Sequence, residues 1–358
     1  MKKSKISFCT VCMNRVHHLK ETLPKNIKDN ISYGNLEFVV LDYNSQDDLE
    51  NWIFSEMGYY LSQGILVYLK TEKPEKFFMS HSKNVVSKQA DGDIICNVDA
   101  DNFLGKGFAE YIDDSFRTER NAYLTVDKRT TKRDCFGRIC MRKKDFLKIR
   151  GYDESMIGYG FEDFDLRNRL ELLGRKALFI SEKSFLQALV HDDKERLINE
   201  SNATSIFKIF VRFIDHAKSE LLYLFDNNKY FRGKIAISRL INSESIYNLF
   251  PEKRNYEYAN FLVNDKWNQG NWLKSPNEYS LENKECEMRL KLGIVQKNPL
   301  ELFDKLNKNV FHEIIDDIQI MDMMMFFSQI NNRIIMEKNR KEKKIAVNPN
   351  GFGETVFC

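Results

Sequence analysis

"GDIICNVDADNF", residues 92–103, runs an apolar stretch straight into a cluster of acids. A short apolar run bounded by Gly and Asp reads as a buried β-strand, here over 92–99. Asp99 and Asp101 follow at its exit, spaced so that both can face one site. Paired carboxylates at a strand end attract a divalent cation, and all-oxygen ligands suit magnesium or manganese. The same residues also suit a turn, because Asp and Asn bond their own backbone.

Outward from this stretch, three comparable runs precede it, at 5–11 ("KISFCTV"), 36–42 ("LEFVVLD") and 64–70 ("GILVYLK"). Helical spacing fills the intervals, over 16–27, 47–57 and 80–90. The resulting βαβαβαβ order predicts an α/β layered sheet. Ligands of open α/β sheets bind beyond the carboxyl ends of the strands. Attention therefore goes to "TVCMNR" (10–15), "DYNSQDD" (42–48) and "DADN" (99–102). The first of these loops holds neither a GxGxxG nor a GxxxxGK[ST]. A bound nucleotide would thus be held by side chains and a metal, not by a glycine-rich phosphate cradle.

Composition narrows the class. The 358 residues carry 55 basic and 52 acidic side chains, a formal charge of +3, too balanced to make nucleic acid the main partner. No run approaches the roughly 18 apolar residues of a membrane span, and the start lacks a signal-peptide cleavage site, so a cytoplasmic protein is expected. Seven scattered cysteines, several in strand-like text, predict reduced buried thiols; the CxxC of Cys9 and Cys12 has no second pair at metal spacing. Two domains are expected, 1–195 and 196–358, the second mainly helical. Ile206, Phe210, Phe213, Ile214, Ala217, Leu221 and Leu224 fall on one helical stripe. It is read as packing against the catalytic domain, with peripheral membrane association through Lys208, Arg212 and Lys218 as the other reading. "RIIMEKNRKEKK", 333–344, is expected to be a solvated helix end, and the last fifteen residues a loop.

A second acidic stretch, "GYGFEDFDLRNRL" (158–170), places Glu162, Asp163 and Asp165 just after two glycines. Carboxylates in a first helical turn complement the helix dipole, each worth about 0.3–1 kcal/mol, so the acids alone do not require a catalytic role.

Taken together, "ISFCTVCMNR" (6–15), "VVLDYNSQDD" (39–48) and "SHSKNVVSKQADGDIICNVDADNF" (80–103) resemble the nucleotide-binding half of the GT-A (Rossmann-like) glycosyltransferases, in particular inverting family 2. "GYDESMIGYGFEDFDLRNRL" (151–170) resembles the acceptor-side motif of β-1,4-galactosyltransferases, chondroitin-polymerase-like enzymes and, more loosely, polypeptide N-acetylgalactosaminyltransferases. There the pattern is Gly-Phe-Asp-Glu, a Gly-Trp-Gly turn and a Glu-Asp-x-Asp-Leu helix start. The resemblance spans residues 4–192.

The resemblance implies a role for each position. Asp42 corresponds to the acid that reads uracil, and Thr10, Arg15 and Lys83 fall among donor contacts. Asp101 would ligate the metal, with Asp99 against the donor ribose or sugar. Asp163 corresponds to the catalytic base, Glu162 to a sugar contact, and Asp165 to a residue orienting the loop and helix. His191, in "ALVHDD" (188–193), stands where galactosyltransferase-like members place a further metal ligand, and an imidazole shifts preference toward Mn2+ over Mg2+. Two departures are visible: Tyr159 replaces the usual Trp and Phe161 a second glycine, while "ARNxG" has become "SKNVV". The implied activity is metal-dependent, inverting transfer of a hexose or N-acetylhexosamine, galactose or N-acetylgalactosamine favoured, from a UDP-sugar to a glycan or lipid-linked glycan acceptor. The setting would be bacterial surface polysaccharide synthesis at the inner face of the membrane. A retaining peptide N-acetylgalactosaminyltransferase-like enzyme and a non-catalytic nucleotide-sugar-binding scaffold remain as alternatives.

Overall fold

The computed structural model describes residues 3–127, 135–190, 195, 197–200, 205–215, 218–237, 258–262, 266–275, 278–282, 287–291, 311–315 and 317–358. The chain divides into two compact units, Met1–Asp192 with Ile335–Cys358, and Asp193–Ile334.

The first unit begins with β1 (Ile6–Cys12), α1 (Val16–Asn30), β2 (Leu36–Tyr43), α2 (Leu49–Glu56), α3 (Gly58–Ser62), β3 (Leu66–Thr71), α4 (Met79–Gln89) and β4 (Ile94–Asn97). Apart from α3, which was not expected, these are the strands and helices expected from the sequence, displaced by a few residues at their ends. β1 pairs in parallel with both β2 and β4, and β2 with β3. Every residue of β2 is buried, as a strand covered on both faces requires. Cys9 and Cys12 pack into different core clusters, on opposite faces of β1, because three steps along a strand reverse the side-chain direction. They are free thiols and cannot share a ligand.

β5 (Asn102–Phe103), α5 (Phe108–Thr118), β6 (Ala122–Thr125), β7 (Cys140–Arg142), α6 (Lys143–Lys148), α7 (Glu162–Leu172), β8 (Lys176–Phe179) and β9 (Gln187–Ala188) follow. The sheet reads β3-β2-β1-β4-β7-β6-β8, with β7 antiparallel to β4 and β6. The late, mixed half of the sheet carries the loop that closes the acidic site from the far side of β4.

In the second unit the mainly helical expectation is corrected. Residues 206–291 contribute β10 (Ile206–Asp215), β11 (Lys218–Phe225), β12 (Lys229–Ile237), β13 (Tyr258–Leu262), β14 (Asn268–Ser275), β15 (Glu278–Glu282) and β16 (Glu287–Lys291). With β17 (His312–Glu313) they form an antiparallel sheet. The described residues of the supposed helical stripe lie on two antiparallel strands, β10 and β11; Ala217 lies outside the described residues. Ile209 and Val211 face one core cluster and Phe210 another, so the strand is apolar on both sides and shows no alternation. Continuous apolar runs cannot be assigned by period; the Ile, Val and Phe richness of the run was the overlooked strand signal. Asp226, Asn227 and Asn228 turn β11 into β12, with Asn228 at φ +61°.

The one long helix, α8 (Asp317–Lys341), ends in Lys338, Arg340 and Lys341, cations that suit the negative end of its dipole. Its residues Met323, Phe326, Phe327 and Ile330 pack on the second unit's sheet beside Leu221 and Tyr223. No helix among the described residues is long and apolar enough to cross a membrane. Residues 342–358 lack regular structure after the helical turn, as expected, but are not idle: Phe352 packs into the first unit's core against Phe146.

Candidate active site

The exits of β1 and β2 are tied to each other. Asn14 N donates to Ser45 Oγ, Gln46 N to Asn14 Oδ1, and Val16 N to Asp47 Oδ2, which fixes the loop that bears Arg15 at the start of α1. Asp42, buried at the end of β2, accepts from Ser45 N at 2.7 Å and from the Tyr68 hydroxyl at 2.6 Å. A carboxylate has about four lone-pair sites, so capacity for a further donor remains. Thr10 is buried one strand over, in register with Val40.

Beyond β4 the acids gather. Lys83, buried on α4, donates from Nζ to Glu162 Oε1 at 3.0 Å and to Asp163 Oδ1 at 2.9 Å. Its ammonium also lies 5.1 Å from the centre of the Tyr152 ring. Glu162 and Asp163 open α7, and Asp99 completes the group from the β4 exit. A Cβ on Gly137 would sit 2.8 Å from Asp99 Oδ2 and 3.4 Å from Asp163 Oδ2, so the two acids share a wall that only glycine leaves open. Burial pushes the Asp163 carboxyl up to about 7, opposed by Lys83 and reinforced by Glu162 and Asp99. Burial likewise raises Asp99, with Asp101 and Glu162 adding to it and Lys83 and Arg138 opposing. Lys83 is held well above its ordinary value: burial opposes this, and the attraction of Asp163 and Glu162 overcomes it.

The turn before α7 explains one departure seen in the sequence. Gly158 and Gly160 both have positive φ, and so does Phe161, at φ +69°. A left-handed conformation costs a non-glycine residue about 1–2 kcal/mol, which is why glycine suits that position. Phe161 holds it while its ring lies 6.0 Å from that of Phe164. Tyr159, between the two glycines, is half-buried.

Asp165 does not join the cluster. It is buried against Arg169, 2.6 Å from Nε, and accepts from Asn339 Nδ2 at 3.0 Å. Asn339 also donates to Asp153 Oδ2 at 2.8 Å, so one amide of α8 ties the acidic helix to the loop before it. Asn84, next to Lys83, accepts from Tyr152 N at 2.7 Å and donates to Tyr152 O and Glu154 Oε1. Gly151 is at φ +68°, where an added Cβ would lie 2.2 Å from Asn84 Oδ1. The C-terminal segment closes the bracket: Asn348 donates to Arg150 O and Tyr152 O, and Gly353 N donates to Glu154 Oε1.

Carboxylate oxygens are the donor type that a hard divalent cation takes. Asp99, Glu162 and Asp163 lie within one electrostatic group with Lys83, and Asp101 and Arg138 act on Asp99. Asp101 is buried, and its carbonyl accepts from Leu189 N at 2.8 Å, where β9 pairs with β5. His191, two residues beyond Leu189, lies outside the described residues. Sequence reasoning did not find Gly137, Tyr68, Tyr152 or Asn339. Each acts through a close approach or a distant pairing that leaves no local pattern.

Residues 122–191 match the family described as "N-terminal domain of galactosyltransferase". No curated protein matches the chain. Among solved structures, the chain is similar to the mannosyltransferase PcManGT from Pyrobaculum calidifontis in complex with GDP-Man and Mn2+, at 14% identity and TM-score 0.42 over 50% of this chain. It is similar to S. aureus TarS 1-349 in complex with UDP at 18% and 0.44 over 53%, and to GalNAc-T7 with UDP, GalNAc and Mn2+ at 14% and 0.42 over 50%. The alignments span 55%, 62% and 43% of those three chains.

Proposed function

We propose that this chain is a metal-dependent inverting glycosyltransferase of the GT-A type. It moves a hexose or N-acetylhexosamine from a UDP-sugar to a hydroxyl of a glycan acceptor. Galactose and N-acetylgalactosamine are the favoured sugars, on the strength of the galactosyltransferase-family segment at 122–191. The observation that carries the reading is Asp163: a half-buried carboxylate beside Asp99, held by Lys83, with its pKa raised to about 7. A general base works best when its pKa lies near the operating pH, and a positioned one contributes roughly 10²–10⁴-fold.

In this reading Asp163 takes the proton of the attacking hydroxyl, and Glu162 binds the sugar beside it. Asp42 receives the N–H of the uracil from its place beside Tyr68, with Thr10, Arg15 and Asp99 lining the rest of the donor path. Tyr159 floors the sugar site. Asp101 would hold Mn2+ or Mg2+, with His191, which lies outside the described residues, as the further ligand that the sequence resemblance implies. Bound there, the metal supplies Lewis-acid stabilisation of the departing diphosphate. Asp165 serves the loop and helix and touches no substrate. A lipid-linked or polysaccharide acceptor at the inner face of a bacterial membrane is the setting taken from the sequence resemblance.

The experiment is a screen of UDP-sugars for manganese-dependent transfer and slow donor hydrolysis, with product anomericity read by NMR. Inversion, and loss of about 10²-fold or more in Asp163→Asn, is expected. A retained configuration, or near-normal turnover in Asp163→Asn, would remove the base assignment. No turnover with any UDP-sugar would return the chain to the scaffold reading.

A further inference from the structure

Arg138 and Arg169 are among the largest fully buried side chains of the described residues, and the proposed chemistry does not use Arg138. Its Nη2 donates to Asn102 Oδ1 at 2.8 Å, and its guanidinium lies 5.7 Å from the centre of the Phe108 ring. Nε and Nη1 are buried with no hydrogen-bond partner. A buried donor left unpaired is costly, so as a core residue Arg138 is an expensive choice. What it holds is the amide of Asn102. Because Asn102 Oδ1 is occupied by the guanidinium, its Nδ2 must point the other way, and it donates to Asp101 Oδ1 at 2.9 Å.

The Asn102 backbone is held in place: its carbonyl accepts from Asn26 Nδ2 at 2.9 Å, and its strand pairs with Ala188 in the β5–β9 ribbon. Without the guanidinium, the amide could flip and present an oxygen to the Asp101 carboxylate. With it, only the amide nitrogen faces that carboxylate.

We propose that Arg138 and Asn102 form a relay that fixes the orientation of the Asp101 carboxylate for a divalent cation, making both of them positioning residues for the metal. The inference rests on the metal site of the proposed function. Groups that hydrogen-bond a metal ligand set its direction and basicity, and their loss typically weakens metal affinity 10–100-fold. Simple electrostatics gives a different expectation, because a cation beside a cation site weakens binding and its removal should tighten it. The informative variants therefore keep the charge balance and change only geometry: Asn102→Ala, which removes the amide, and Arg138→Lys, which keeps the charge and loses the planar fork.

The test is Mn2+ affinity in the presence of UDP, read by electron paramagnetic resonance on the full chain, with turnover against Mn2+ concentration as the second readout. Each variant is expected to bind Mn2+ about 10-fold more weakly, and saturating Mn2+ to restore most of kcat. The double variant should be no worse than either single one, since one relay can be broken only once. Wild-type affinity in Asn102→Ala, or losses that multiply in the double variant, would overturn the relay while leaving the metal site in place. If Arg138→Lys does not fold, Asn102→Ala and Asn102→Ser decide the question alone. Failure of the wild-type chain to bind Mn2+ with UDP would overturn both the relay and the metal assignment beneath it.

Discussion

Lys83 and Asp163 form a close ion pair, Nζ to Oδ1 at 2.9 Å, in which the ammonium favours the charged form of the proposed base against the burial that disfavours it. The sign of its pH dependence follows. Asp163 must lose its proton to act, and burial raises its pKa to about 7, so kcat/KM should climb with pH through that value and fall away below it. Lys83 favours the carboxylate. Lys83→Met should therefore move the acidic limb to higher pH, by a unit or more, besides slowing turnover. A pH–rate profile of both proteins checks this; an unmoved limb would mean that another group titrates.

Gly137 is a steric requirement at the site. In Gly137→Ala the new methyl meets Asp99 Oδ2 at 2.8 Å, and the carboxylate, the end of a short flexible side chain, is the part that yields. Turnover should fall by about 10²-fold, because displacing a reacting group by an ångström costs that much. The thermal midpoint should stay within about 2 °C of wild type. Kinetics and calorimetry on the same preparation separate the two effects.

Asn339 should matter for stability. Asn339→Ala removes a donor from Asp153 and from Asp165, both buried. Urea unfolding should show a loss of about 1–3 kcal/mol. A change below about 0.5 kcal/mol would indicate that water replaces the amide.

Tyr152 makes the opposite prediction. Its hydroxyl is buried without a hydrogen-bond partner, and Phe occupies this position in the motif the sequence resembles. Tyr152→Phe keeps the ring beneath Lys83 and deletes the unpaired group, so stability should rise, by up to about 1 kcal/mol, with turnover unchanged. Slower turnover in this variant would show that the hydroxyl meets a substrate.

The first four strands and three of the four helices between them, α1, α2 and α4, were legible because each obeys a single rule. Buried parallel strands are apolar runs, and their crossover helices repeat at 3.6 residues. The acids at 99, 101, 162 and 163 were legible because charge at a strand exit or helix start is conspicuous. The hairpin of β10 and β11 was not, since burial of both faces erases the alternation that marks a strand. Gly137 and Arg138 sit side by side as "GR" in a stretch with no chemical pattern. Their meaning lies in what approaches them, Asp99 for the one and Asn102 for the other. Phe161 was visible as a departure from a glycine, and its positive φ supplies the reason a glycine is usual there.

The first unit is assembled from two separated lengths of chain, 1–192 and 335–358. A ribosome therefore makes the sheet, the acids and Lys83 long before it makes Asn339, Asn348 and Phe352. Until those residues emerge, Asp153 and Asp165 lack their shared amide, and Tyr152 and Glu154 lack part of their bracket. The second unit is synthesised in that interval. The nascent chain thus holds the sheet and the acids well before it holds the residues that secure the acidic loop, so full assembly of the site waits until Gly353 has been made.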